Sequence, residues 1–257
     1  MRLLINADDF GWDDETVDAT IECFERGGLT SATIMASMPA AERACAYARA
    51  HPEFSFGVHL TFVGDGIERS LSQPGAIPDL ADDRGVFLAS QKTRLRALAR
   101  RIDEAEIERE AIAQLDKVRG LGVPISHVDS HGHMHKFRPF RRTIARILPR
   151  YGIVRVRSVQ DVYFRRPIKS PNYWLGPHWK REIARLFRTT EHLYLPRSAC
   201  EADWVRQLAA LRLDGTLEVG LHPGRAEDWR EEERVGAVAL GAAARDAKIA
   251  LVTWNDV

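Results

Sequence analysis

Arg2-Leu3-Leu4-Ile5-Asn6-Ala7-Asp8-Asp9-Phe10-Gly11 opens on a short apolar run and closes on two adjacent carboxylates and a glycine. The run over residues 2–7 reads as a β-strand with the acids directly after it. Working outward, β-rich runs recur at residues 30–36, 56–61, 125–130, 153–158, 192–195, 217–222 and 249–254, which makes eight candidate strands. Amphipathic stretches alternate with them at about 14–26, 40–50, 137–149, 179–188, 201–213 and 230–246. A further helix starts at Asp103, with Glu106 three residues on as a capping box, and stops between Gly120 and Pro124. Strand–helix alternation predicts an α/β protein with a parallel sheet and right-handed crossovers. Eight strands in 257 residues predict a (β/α) TIM-like barrel of one domain, with an open doubly wound sheet as the alternative.

After the third strand the periodicity breaks over residues 63–101, where Gly64, Gly66, Pro74, Gly75, Pro78 and Gly85 fall. A loop insertion of this length reads as a functional cover or as a disordered segment. Its tail holds Lys92, Arg94, Arg96, Arg100 and Arg101, an anion-binding patch or a solvated basic helix face, and the helical spacing of Leu95, Leu98 and Ile102 favours the second, over an apolar stripe.

Lys plus Arg number 37 against 36 for Asp plus Glu, so no overall field draws the chain to nucleic acid or to an anionic membrane, and only local basic patches stay open. Cys23, Cys45 and Cys200 are odd in number and widely spaced, which argues against a disulfide framework or a thiolate zinc knuckle and fits a reducing cytoplasm. The opening strand turns acidic too soon for a signal peptide. No apolar run approaches the roughly 20 residues of a membrane span, so no integral membrane segment is expected.

The chemistry-bearing residues recur at strand ends. Asp8 and Asp9 follow the first strand and point in different directions, so that one can bind a metal while the other handles protons; their order stays open. His127, Asp129, His131, His133 and His135 alternate, and an extended segment would project all five to one face. Burying four imidazoles and a carboxylate for packing alone is costly, which favours metal binding. His59 lies in Gly57-Val58-His59-Leu60-Thr61, and His222 in Gly220-Leu221-His222-Pro223-Gly224. These are the positions where barrel enzymes assemble active sites. A carboxylate and two imidazoles with open positions describe a catalytic site for one divalent metal ion, Mg2+ if oxygen ligands dominate or Zn2+ if imidazoles do. His127 and Asp129 then orient His131 and the metal. His133 and His135, beyond Gly132, reach the substrate or face water. Tyr163, Phe164, Tyr173, Trp174 and Trp179, among prolines in residues 161–180, either stack on a ligand ring or anchor the loop.

In Asn6-Ala7-Asp8-Asp9-Phe10-Gly11, Gly28-Leu29-Thr30-Ser31, Gly57-Val58-His59-Leu60, His127-Val128-Asp129-Ser130-His131 and His222-Pro223-Gly224, the chain resembles the YdjC-like (ChbG/HpnK-type) carbohydrate deacetylases, in family order and over nearly its whole length. The resemblance implies a barrel-type, metal-dependent hydrolase that removes the N-acetyl group from an amino sugar. It implies Asp9, His59 and His131 as metal ligands, Asp8 as catalytic base and His222 as acid. The departures are Gly132, Asp18 and the acidic Trp12-Asp13-Asp14-Glu15, and they bear on the substrate more than on the reaction. The alternatives are another metal-dependent hydrolase on the same barrel, a phosphoesterase using Arg155 and Arg157 or an amidohydrolase, and a catalytically inactive carbohydrate-binding relative. The partner expected is an N-acetylated sugar, and a homodimer stays open.

Overall fold

The computed structural model describes residues 1–64, 66–196 and 203–257; Cys200 and the first residues of the stretch expected at 201–213 lie outside them. The opening run forms β1 (Arg2–Phe10), and every other part of the sheet is built against it. Along one edge β1 pairs with β6 (Thr216–Leu221), from Arg2 opposite Thr216 to Ala7 opposite Leu221. Its other edge is shared: β7 (Ala250–Leu251) takes Arg2 and Leu3, and β2 (Ser31–Ile34) takes Asn6, Ala7 and Phe10. β3 (Ser55–Leu60) and β4 (Ile125–Ser130) continue beyond β2, and β5 (His192–Tyr194) lies beyond β6. All pairings are parallel. β2, β3 and β6 are buried at every position, as expected of strands roofed by crossover helices.

Those helices are α1 (Asp14–Glu25), α2 (Ala41–Ala50), α3 (Ser90–Leu98), α4 (Glu104–Gly120), α5 (Arg138–Ile147), α6 (Pro171–Ala184), α7 (Trp204–Ala210) and α8 (Asp228–Asp246). Asp13 caps α1 by accepting from Thr16 N at 2.7 Å, and Asp103 caps α4 by accepting from Ala105 N at 2.9 Å. Glu106 does not close the expected capping box. Its carboxylate instead accepts from Asp79 N at 2.8 Å and ties down the loop after β3.

Among the described residues a complete eight-stranded barrel does not form. The described residues hold a curled parallel sheet of seven strands, and the run expected at 153–158 contributes only isolated bridges, Val128 to Val156 and Arg155 to Arg188. One short segment has to serve two neighbours. Arg188 bonds to Val154 and Val156, whereas His192–Tyr194 a few residues on pair with β6, so neither ladder can lengthen. The final run shortens likewise to β7 and a 3-10 turn over Trp254–Asp256.

The insertion after β3 is irregular but packed. Ile77, Leu80 and Phe87 enter the core, and Glu110 of α4 accepts from Leu71 N and from both Ser72 N and Ser72 Oγ. Of the expected stripe only Ile102, just after α3, is buried: Leu95 and Leu98 are exposed, and the small Thr93 and Ala97 face inward because α3 lies close against α5.

Two glycines are required by close approach. Gly57 on β3 leaves room for His127, whose Cε1 would stand 2.6 Å from an added Cβ. Gly241 on α8 abuts the turn after α1, where a Cβ would come within 2.1 Å of the Gly27 carbonyl oxygen and 3.0 Å of Gly28 Cα. Backbone on both sides cannot swing away, so Gly241→Ala should lower stability by about 1–3 kcal/mol. Urea unfolding should show the midpoint falling with the slope unchanged; an unshifted midpoint would mean α8 can move off this turn freely.

Candidate active site

Asp9, His59 and His131 meet at the C-terminal ends of β1, β3 and β4. Asp9 Oδ1 lies 3.4 Å from His59 Nε2 and 3.2 Å from His131 Nδ1, and one donor atom from each of the three falls within 4.8 Å of the others. Donors bound about 2.0–2.2 Å from a common ion stand roughly 3–3.5 Å apart at octahedral or tetrahedral angles, so this donor set fits one divalent cation.

Local backbone geometry makes the convergence possible. Neighbouring strand residues normally face opposite sides. Here the pairing of β1 with β2 slips between Ala7 and Phe10, and Asp9 takes a φ of 57°, in the left-handed region. Such a residue costs about 1–3 kcal/mol and persists where its surroundings hold it. Arg230 Nη2 of α8 donates to Asp9 Oδ2 at 2.8 Å, with its guanidinium 4.7 Å from the Trp229 ring and 5.7 Å from that of Trp12.

The alternating histidine segment divides into three. β4 ends at Ser130, and residues 131–136 turn through 3-10 geometry with Gly132 and His133 left-handed, so the five side chains do not share one extended face. Asp129 orients His59, not His131 as expected: His59 Nδ1 donates to Asp129 Oδ1 at 2.7 Å, leaving Nε2 with its lone pair toward Asp9. His127 orients nothing in the site. It is buried under the cluster, stacked on Trp254 at 4.5 Å and bonded through Nδ1 to Ser126 Oγ at 2.8 Å, and burial pushes its pKa down to about 3. His135 bonds Ser130 Oγ at 2.7 Å, and burial lowers its pKa to about 4. The loop after β3 adds buried Glu68, whose Oε1 is 3.8 Å from His131 Nε2.

Asp8 sits in a different environment from its neighbour. Arg157, fully buried, grips both its oxygens, Nη1 to Oδ2 at 2.5 Å and Nη2 to Oδ1 at 2.6 Å, and Asn6 Nδ2 donates to Oδ1 at 2.9 Å. The same guanidinium meets Asp129 Oδ2 at 2.6 Å and Glu218 Oε1 at 2.7 Å. Burial favours a neutral Asp8, but the charge and hydrogen bonds of Arg157 outweigh it and hold the carboxyl well below its ordinary range. Arg155 is spent elsewhere, on the carbonyls of Val257 and Asn255. Neither arginine is available to the phosphate that the sequence left open.

His222, after β6, faces the cluster from the other side. Nε2 is 3.7 Å from Asp8 Oδ2; Nδ1 lies 3.1 Å from Glu233 Oε2, which also accepts from His222 N at 2.6 Å. Burial opposes its charge, but the Glu233 hydrogen bond and the nearby Asp9 and Asp8 push its pKa up to about 9. Beside the site a cavity of about 160 Å³ is lined by His133, His135, Ser158, Tyr163, Asn172 and Tyr173, among others. The aromatics of residues 161–180 therefore part company. Tyr163 and Tyr173 line the cavity, Trp179 packs on Phe137, Phe164 on Tyr194, and Trp174 stands in solvent.

Glu218, Arg230 and Glu233 carry no role in the sequence reading, and Arg157 enters it only as a phosphate ligand, not as the partner of Asp8. Arg157 and Glu218 had a signal, since each is a charge inside a β-rich run and a buried charge needs a partner. Glu233 and Arg230 sit in the charged Asp228-Trp229-Arg230-Glu231-Glu232-Glu233-Arg234, which reads as an exposed helix start.

Comparison with known proteins places the chain among relatives. The family described as YdjC-like protein matches residues 2–253. A carbohydrate deacetylase of Geobacillus stearothermophilus is 34% identical over 168 residues, 65% of this chain, and the match spans 62% of that protein's length. A carbohydrate deacetylase of Brevibacillus brevis is 26% identical over 273 residues, covering 100% of both chains. Among solved structures, one from Enterococcus faecalis V583, described as a candidate cellobiose-phosphate cleavage protein, superposes with a TM-score of 0.78 at 21% identity over 99% of this chain and 98% of its own, and shares the fold.

Proposed function

The chain belongs to the YdjC-like family, and from that premise we propose that it is a metal-dependent carbohydrate deacetylase that hydrolyses the N-acetyl amide of an amino sugar and releases acetate. The observation that carries this reading is the meeting of Asp9, His59 and His131 between two separately supported proton-handling groups, Asp8 on Arg157 and His222 on Glu233. A divalent cation held by Asp9, His59 and His131 would polarise the amide carbonyl and acidify the attacking water. Asp8 accepts the water's proton, its carboxylate fixed in direction by Arg157. Oxygen adds to the carbonyl carbon, the C–N bond breaks, and His222 delivers a proton to the departing nitrogen. Arg230 keeps Asp9 turned toward the two imidazoles, and Asp129 sets the His59 tautomer. Tyr163 and Tyr173 give the cavity beside the site aromatic faces with polar edges suited to a sugar ring.

The direct test is acetate release from small N-acetylated saccharides with and without a chelator. Turnover abolished by chelation and restored by a divalent metal supports the reading; release insensitive to chelation, or none from any N-acetyl sugar, overturns it. Carbohydrate binding without turnover in the metal-loaded protein would mark an inactive relative.

The proton donor is tested separately. A phenolate leaves unassisted whereas an amine does not, so His222→Ala should slow amide hydrolysis by about 10²–10⁴-fold and spare an aryl acetate much more. The active form is the protonated one. With its pKa near 9, amide turnover should hold through neutrality and fall as pH rises past about 9. Equal losses on amide and ester would leave His222 a structural role only.

A further inference from the structure

Residues 162–181 contain five Lys or Arg and no Asp or Glu, in a chain whose formal net charge is only +1. The ion pairs at the margins, Lys180 with Asp161 and Arg185 with Glu182, leave Arg165, Arg166, Lys169 and Arg181 without an acidic partner among the described residues, and all four are exposed. Between these cations stand three large apolar side chains turned to solvent: Ile168 at 61%, Trp174 at 67% and Leu175 at 41% exposure. Trp174 is not a free polar group, because its Nε1–H donates to the Ile168 carbonyl at 2.9 Å. That bond uses up the indole donor and offers the ring as apolar area.

From this surface we infer that residues 165–175 dock the protein on an anionic lipid bilayer. Apolar side chains that can sink below the headgroups, ringed by cations that meet the lipid phosphates, are the composition of an interfacial membrane contact. A water-soluble polyanion would satisfy the cations but leave Ile168, Trp174 and Leu175 with nothing to cover them. A second copy of the chain fits less well, because a two-fold interface sets a patch against itself and would bring these unpaired cations together. No helix among the described residues is long and apolar enough to cross a membrane, so the contact is peripheral. Its placement has a use: Pro167, Ser170 and Tyr173 of the same segment line the cavity beside the catalytic cluster. Docking there sets the mouth of the site against the lipid surface. The inference stands on the surface alone and does not require the deacetylase reading.

The test is sedimentation of the full chain with vesicles of phosphatidylcholine alone and with a large fraction of phosphatidylglycerol. Binding is expected only to the anionic vesicles and should weaken as salt rises. Each charge reversal at Arg165, Arg166 or Lys169 should lower the partition coefficient about fivefold or more. Ile168→Ser with Trp174→Ser should also lower it severalfold with the charges intact. These surface variants should keep the parent's unfolding midpoint and its acetate release from a soluble sugar, which separates failure of docking from failure of the enzyme. No binding to anionic vesicles, or binding untouched by the charge reversals, would overturn the inference. So would binding that depends on the cations alone and is matched by heparin, or a stable dimer in solution that Trp174→Ser dissolves.

Discussion

Arg157→Met should lower the stability of the fold by about 3–5 kcal/mol at neutral pH and abolish most turnover with it. The guanidinium is fully buried and serves Asp8, Asp129 and Glu218 at once. Removing one member of a buried ionic set strands the others as uncompensated charges, which is far more damaging than never having had the set. The pH dependence gives a second readout. Asp8 has its folded pKa below the ordinary 3.8, so its contribution is present above that value and lost as pH falls through the folded pKa. The stability gap between parent and variant should therefore narrow as pH drops below about 4. Urea denaturation across pH decides the matter, with Arg157→Lys as the charge-conserving control expected to recover only part because it cannot grip both oxygens of Asp8. A variant as stable as the parent at pH 7 would show that the carboxylates are not charged together.

The second large effect separates the paired acids. Asp8→Asn should retain stoichiometric metal and lose about 10²–10⁴-fold in turnover, because it removes a base and not a ligand. Asp9→Asn and His59→Ala should lose bound metal and activity together. Elemental analysis beside acetate release reads both properties on one sample. Metal lost from Asp8→Asn and kept in Asp9→Asn would exchange the two roles. The geometry favours the order given, since Asp9 faces the two imidazoles while Asp8 is engaged on both oxygens by Arg157.

The parallel α/β alternation was legible because its cause is local: an apolar run of strand length followed by a capped amphipathic stretch, repeated. Closure of the barrel was not. It depended on whether residues 153–158 could pair continuously, and that was decided by the bend over 188–194, which carries no sequence mark. At the site, Asp8, Asp9, His59 and His222 were visible as polar residues at strand ends. His131 was visible too, but the alternation around it misled, since a period of two holds only while the chain stays extended and β4 stops at Ser130. Asp129 went to His59 because the two residues lie opposite each other in the β3–β4 register. The leucines of α3 failed differently: their spacing was helical, but the helix turned its small residues toward α5.

The two acids of β1 meet their cations across very long stretches of chain, Asp8 to Arg157 over 149 positions and Asp9 to Arg230 over 221. During synthesis the carboxylates are made first, and they wait through most of translation for the charges that stabilise them. β1 itself has its long partner, β6, more than two hundred residues away in sequence. Contacts of that separation make for slow folding, since loop entropy must be given up before they form. A ribosome-bound chain halted before residue 216 would lack β6, Arg230 and His222, so the surroundings of Asp8 and Asp9 are completed only in the last act of folding.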